Sequence, residues 1–375
     1  MPATKCESTR QAPLRQTPRD CRLDALRGLL LILMTVRHLP SVLGKYTFEY
    51  FGYLSEAEGF VLLSGFVAGL SYTRLASQHP ASTLSRQAFL RARTIYLYHA
   101  AIFILSFLII KIFSRDEEYA SSWDELVHLN PAVSLVAGIT CLNQPKFLDI
   151  LPMYCIFVLN VPLIIQAFRR KLSWLVLALS ALLWGITQFG FRTSTAVQWL
   201  HNYLPVNLGE FEVCSWQVLF VAGLYLGFRS SAGGIMKPCF GRLLVVYLWG
   251  IAICLMLVKH HIVCGTEVAY VAERMSDKPT LGALRIFNFA IVYMLLIHYG
   301  WNLRPGLVVH GLAYLGRRSL QVFGWHVLVV IAAGAFYELR GLVNEEPRIV
   351  VVAACIAALY IPAYVAQRQK RPSPA

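Results

Sequence analysis

Charge is what this sequence has least of. Only 14% of its 375 residues are Asp, Glu, Lys or Arg, against 57% hydrophobic, which excludes an ordinary soluble globular protein of this length. Acidic residues are the scarcer charged kind, 20 against 34 basic, giving a formal charge of +14. That surplus does not point to nucleic acid: the basic residues sit in short patches between apolar runs, the distribution of a polytopic membrane protein. CxxC spacing is missing as well. Cys6, Cys21, Cys141, Cys155, Cys214, Cys239, Cys254, Cys264 and Cys355 mostly fall in or beside apolar runs, which argues against a disulfide framework or a metal site and for small packing residues. The first 20 residues have no short apolar core and no small-residue cleavage site of a secretory signal. Polar, with Pro13, Pro18, Lys5, Arg10, Arg15 and Arg19, they are expected to form a disordered cytoplasmic tail. No inverted internal repeat of the transporter kind is visible.

What the sequence has is long apolar runs. A bilayer core of about 30 Å needs roughly 20 residues per helix, and about ten runs qualify: 24–44, 55–75, 89–112, 148–168, 172–190, 212–229, 241–260, 282–302, 315–337 and 348–367. The expected fold is all-α, a polytopic helix bundle. Its domain would cover 21–368, between tails at 1–20 and 369–375. Orientation follows from the basic residues. With the N-terminus inside, the inner segments carry Arg74, Arg86, Arg91 and Arg93; Arg169, Arg170 and Lys171; Arg229, Lys237 and Arg242; Arg304, Arg317 and Arg318; and Arg368, Lys370 and Arg371. The outer ones carry Asp116, Glu117, Glu118, Asp124 and Glu125, then Glu210 and Glu212, then Glu345 and Glu346. Both termini are therefore expected in the cytoplasm. Two outer segments are long. One, 113–147, contains an amphipathic turn at 123–129 and an apolar piece ending at Cys141 that is too short to span. The other, 190–211, contains Trp199, His201 and Tyr203.

Ionisable residues inside these runs are candidates for function. Arg27 and His38 are eleven residues apart in the first run, so on a helix they share one face about 16 Å apart. The competing reading for Arg27 is snorkelling, paired with Asp24. Glu58, near the start of the second run, is expected at the depth of His38, where a carboxylate fixes the tautomer of a basic imidazole. Ser55 with Glu58 also reads as a capping box. Gly65 and Gly69 suit close helix packing, and Ser64 suits an inter-helix hydrogen bond or, more weakly, a nucleophile. Asp149 before Pro152 suits a helix N-terminus, with a second role open on the level of Glu58. Trp216 and Gln217 open a helix on that level, while His298 and His326 lie inside apolar runs. His260, His261 and Cys264 have no consistent ligand spacing, and no metal is expected.

The blocks Arg22-Leu23-Asp24-Ala25-Leu26-Arg27-Gly28, His38, and Ala57 to Gly65 with Glu58 and Ser64 resemble the OpgC family, membrane succinyltransferases of osmoregulated periplasmic glucans. So do Leu148 to Tyr154 with Asp149 and Pro152, Trp216-Gln217 with Phe220 and Gly223, and Ser319-Leu320 with Phe323 and His326. The Arg27 to His38 spacing is shared with the wider acyltransferase-3 superfamily. The resemblance implies about ten membrane helices, a bacterial cytoplasmic (inner) membrane location, and acyl transfer from cytoplasmic acyl-CoA, by family default succinyl-CoA, to a hydroxyl of an extracytoplasmic glucan. It casts His38 as general base or acyl carrier, Glu58 as its orienting partner and Asp149 as an aid to the acceptor. Arg27, with Asp24 and Ser64, would hold the donor, and Tyr154, Trp216, Gln217 and His326 would touch substrate. The expected partners are a glucan and the lipid bilayer, with no nucleic acid, and the oligomeric state stays open. The alternative is a proton-coupled carrier of a carboxylate or sugar, with Arg27 as substrate cation and His38 with Glu58 as proton relay. The enzyme reading expects Arg27 and His38 to line a single channel.

Overall fold

A computed structural model describes residues 20–47, 49–113, 123–197, 206–231, 240–263, 265–300, 306–340 and 345–368. The basic tail, Asp116 to Glu118, Trp199, His201, Tyr203, Lys237, Arg304, Lys370, Arg371, Cys6, Cys239 and Cys264 lie outside the described residues. The chain runs through α1 (Cys21–His38), α2 (Val42–Thr47), α3 (Glu56–Gln78), α4 (Ala81–Phe113), α5 (Asp124–His128), α6 (Pro131–Ile139), α7 (Ile150–Arg169), α8 (Ser173–Gln188) and α9 (Thr193–Val197). It continues through α10 (Val213–Ser231), α11 (Arg242–Lys259), α12 (Thr266–Met275), α13 (Ala283–Gly300), α14 (Leu307–Gly316), α15 (Ser319–Arg340), α16 (Glu345–Ala358) and α17 (Tyr360–Arg368).

Local chemistry sets many of the ends. Asp20 caps α1 by accepting the Arg22 N–H at 2.9 Å, and α1 stops two residues before Pro40, which disfavours helix in the residue it follows. Ser55 and Glu58 form the expected capping box of α3. Asn130 caps α6, with Pro131 at its first position. Asp149 precedes α7, but its side chain makes no capping hydrogen bond. Its carboxylate accepts instead from the backbone N–H of Glu210 at 2.9 Å.

Among the described residues seven helical stretches are long and apolar enough to cross a membrane, each on an expected span: α3, α4, α7, α11, α13, α15 and the run Arg348–Ala366 in α16 and α17. The other three expected spans fall on α1, α8 and α10. The protein is thus an all-helical, multi-pass membrane protein. Two expected inner loops are helical. The α4 helix starts at Ala81, so Arg86, Arg91 and Arg93 are on it, and residues 307–316 form α14. Ten residues are too few to stand out as a span, but α14 lies directly on α1, where a Cβ on Gly28 would come within 2.0 Å of the Leu312 carbonyl and one on Gly316 within 1.7 Å of that of Asp24.

The widest packing is α3 on α10. Gly65 and Gly69 face the Phe220 and Leu224 carbonyls, and Gly223 and Gly227 face those of Leu62 and Phe66. Small residues let the backbones approach this closely. The main apolar core runs through α1, α3, α4, α7, α10 and α15, while α11 and α13 carry a separate cluster around Val245, Leu248 and Ile291. The short α6 packs on α4, with Tyr96 donating to the Ile139 carbonyl at 3.1 Å, and it lines neither cavity described below.

Candidate active site

Two cavities meet inside the main bundle. The larger, about 640 Å³, lies among α1, α3, α4, α7 and α15. Its polar wall holds Arg27, Ser64, Tyr154, Arg91, Arg317 and Arg318. The Arg27 guanidinium donates to Ser64 Oγ at 3.3 Å, an inter-helix bond that aims both side chains at the same space. The Asp24 carboxylate lies 3.7 Å from Arg317 and so ties α1 to the junction of α14 and α15. Four guanidinium groups around one cavity make a strong site for anions with several oxygens.

The smaller cavity, about 50 Å³, is lined by His38, Arg37, Glu56, Asp149, Lys146 and Lys278 among others. Arg37 and Glu56 form an ion pair at 3.0 Å. The Lys278 ammonium lies over the Phe211 ring, 5.4 Å from its centroid. Burial, and then the nearby Arg37, hold Lys278 below the ordinary lysine range.

His38 is oriented by a second histidine. His326 Nδ1 lies 2.6 Å from the Phe323 carbonyl, which can only accept, so Nδ1 carries the proton. A neutral His326 then has a bare Nε2, and this atom faces His38 Nδ1 at 3.4 Å. His38 must donate from Nδ1, which leaves its Nε2 lone pair free. This assignment follows from the hydrogen-bond chain, and it gives the His38 Nε2 lone pair a defined direction. The Phe147 ring packs 4.3 Å from the His38 ring, and Phe147 is held at φ 77°, a left-handed backbone that a bulky residue rarely adopts.

The expected pairing of Glu58 with His38 is not what the structure has. Glu58 accepts from the Ser55 backbone and hydroxyl, both at 2.7 Å, and from Arg285 at 2.9 Å. Arg285 also bonds Glu49 and donates to the Ser276 carbonyl at 2.9 Å, and Lys259 reaches Glu49 at 2.8 Å. Burial alone would raise the Glu49 carboxyl, but Arg285 and then Lys259 bring it below the usual carboxylate range. Two cations and two carboxylates thus close a buried network joining α3 to α11 and α13. Losing Arg285 would cost about 3–5 kcal/mol by stranding the buried Glu58 charge.

Arg27, Ser64 and Tyr154 share the large cavity, and His38 and Asp149 share the small one, with His326 directly behind His38. Trp216 and Gln217 line neither. Trp216 Nε1 donates to the Lys278 and Pro279 carbonyls at 3.2 and 3.1 Å, which fixes the loop carrying Lys278. Gln217 accepts from Ser180 Oγ at 2.7 Å and donates to its carbonyl at 2.8 Å, joining α10 to α8. His298 stacks on Phe240, ring centroids 5.9 Å apart, and lines neither cavity. The expected single channel is two cavities that share Ile150 and Phe323 as walls. Sequence reading missed Arg91, Arg317, Arg318, Lys278 and the Arg285 network. Arg285 did leave a signal, as a lone charge inside an apolar run. Among the described residues no group of three or more His, Cys, Asp or Glu could hold a metal ion.

The family model described as OpgC protein matches residues 19–371. The chain belongs to the OpgC family. Membership implies a membrane acyltransferase, and the matched region takes in both cavities of this OpgC-family chain and the helices that build them. No curated protein and no solved structure matches it.

Proposed function

We propose that the protein is an integral O-acyltransferase of the bacterial cytoplasmic membrane, with about ten crossings, both termini inside, and one catalytic domain over residues 21–368 between short tails. Acyl-CoA, with succinyl-CoA as the family default, enters the large cavity from the cytoplasm, where Arg27, Arg91, Arg317 and Arg318 attract its phosphates. A glucan hydroxyl enters the small cavity from the opposite side. The observation that carries this reading is the hydrogen-bond chain from the Phe323 carbonyl through His326 to His38, which leaves one imidazole nitrogen free as a base beside the wall common to both cavities.

His38 Nε2 takes the hydroxyl proton as the oxygen attacks the thioester carbonyl. When the tetrahedral intermediate collapses, the carbon–sulfur bond breaks, and the CoA thiolate takes the proton back from His38. Glu58 supports this site through the Arg285 network instead of through His38. Asp149, held by the Glu210 backbone, stands where it can bind a second hydroxyl of the acceptor.

The test is transfer of label from acyl-CoA to glucan by purified protein in detergent. Wild type should acylate, and His38→Ala should lower the rate about 10²–10⁴-fold, the usual worth of a general base, with unchanged membrane insertion. Uptake of substrate into vesicles without any acylation, or full activity of His38→Ala, would overturn the proposal.

A further inference from the structure

We infer that the Phe323 side chain, backed by Phe60 and Ile150, is the aperture between the two cavities and selects the acyl group by size; this rests on the acyltransferase reading above. Ile150 and Phe323 line both cavities. The Phe60 ring stacks on Phe323 at 6.1 Å with 28° between planes, and the Tyr154 ring meets Phe60 edge-on at 6.1 Å. The three partition residues come from α3, α7 and α15, and all are buried. A thioester held by Arg27 would pass Ile150 and Phe323, which the two cavities share, to reach the His38 imidazole. Beyond them lies the narrower of the two cavities, about 50 Å³, where a longer acyl group meets more wall than a short one. Close-packed rings do not yield freely to extra methylenes. Discrimination at a wall of this kind runs to roughly 10–200-fold per methylene.

The aperture and the base can be tested apart. The group that orients His326 is the main-chain carbonyl of Phe323, which every substitution at 323 retains. Changing the side chain alters the opening and leaves the orienting acceptor in place; the Phe323 ring also packs on the His326 ring, centroids 4.8 Å apart, a contact that Leu and Trp keep in part and Ala removes. With acyl-CoA donors of two, four, six and eight carbons and a glucan acceptor, kcat/KM is measured for wild type and for Phe323→Ala, Phe323→Leu and Phe323→Trp. Wild type should prefer the short donors. The Ala and Leu variants should raise the eight-carbon to four-carbon ratio about tenfold or more, and Trp should lower it. An unchanged chain-length profile in active variants overturns the aperture. So does complete inactivity of all three in protein that elutes as wild type, because Phe323 would then be a support for His326. If wild type transfers none of the donors, the acyltransferase reading itself fails, a result distinct from both.

Discussion

A histidine becomes a directed base only when something fixes which nitrogen holds the proton. For His38 that group is His326, whose own proton is fixed by a backbone carbonyl. A carboxylate in the same place would also stabilise the protonated imidazole, whereas a neutral imidazole orients it with less charge stabilisation. Removing the His326 acceptor should let His38 turn or change tautomer, so His326→Ala is expected to lower kcat about 10²-fold, with KM for acyl-CoA little changed. His326→Asn, whose side-chain carbonyl can accept from His38, should recover part of the loss. Initial rates over a donor concentration series measure both, and a wild-type kcat for His326→Ala would remove His326 from the mechanism. The sequence made both histidines visible, as ionisable groups in apolar runs. It could not pair them, because they are 288 residues apart and no local spacing relates α1 to α15. Glu58 shows the opposite case. Its capping box was legible three residues away, and that local bond, with Arg285, is what draws the carboxylate away from His38.

Among the helices, glycine decides how closely neighbours pack. The four-residue spacing of Gly65 and Gly69 was legible, but the matching Gly223 and Gly227 on α10 became partners only in three dimensions. The helix α14 escaped notice because ten apolar residues are too few for a span, yet its Gly316 meets α1 as closely as Gly65 meets α10. A Cβ added at Gly65 would lie 2.1 Å from the Phe220 carbonyl oxygen, whereas one at Gly250 would meet nothing within 4 Å. Gly65→Ala should therefore destabilise the protein by about 1–3 kcal/mol through overpacking. Gly250→Ala, inside α11, should be neutral or stabilising by up to about 1 kcal/mol, because alanine loses less backbone freedom in a helix. Thermal unfolding of the two variants in one detergent gives the comparison. Equal shifts would mean that α3 and α10 do not rely on backbone contact.

Taken as a whole, the molecule separates two kinds of polar interior. One cavity is walled by Arg27, Arg91, Arg317 and Arg318, while the other mixes Arg37, Lys146 and Lys278 with Glu56, Asp149 and Glu210. A field of one sign suits a polyanionic donor, and balanced charge suits a neutral glycan with many hydroxyls. The alternation of basic and acidic loops along the sequence implies an inside-to-outside direction for this axis, which a sidedness measurement would check. It could not give the wall of Ile150 and Phe323 that divides the axis, since apolar residues there look like any others in a core. Neither acyl-CoA nor a glucan crosses a bilayer unaided, so the proposed enzyme, with donor and acceptor cavities on opposite sides, should show sidedness. In sealed vesicles of one orientation, label should reach the glucan when acyl-CoA is supplied on the cytoplasmic face and glucan on the other. With both substrates confined to either single face, transfer should fall to the level set by leakage. Equal transfer from a single face would mean that donor and acceptor enter the same cavity, and His38 would then have to work without the partition that places it between them.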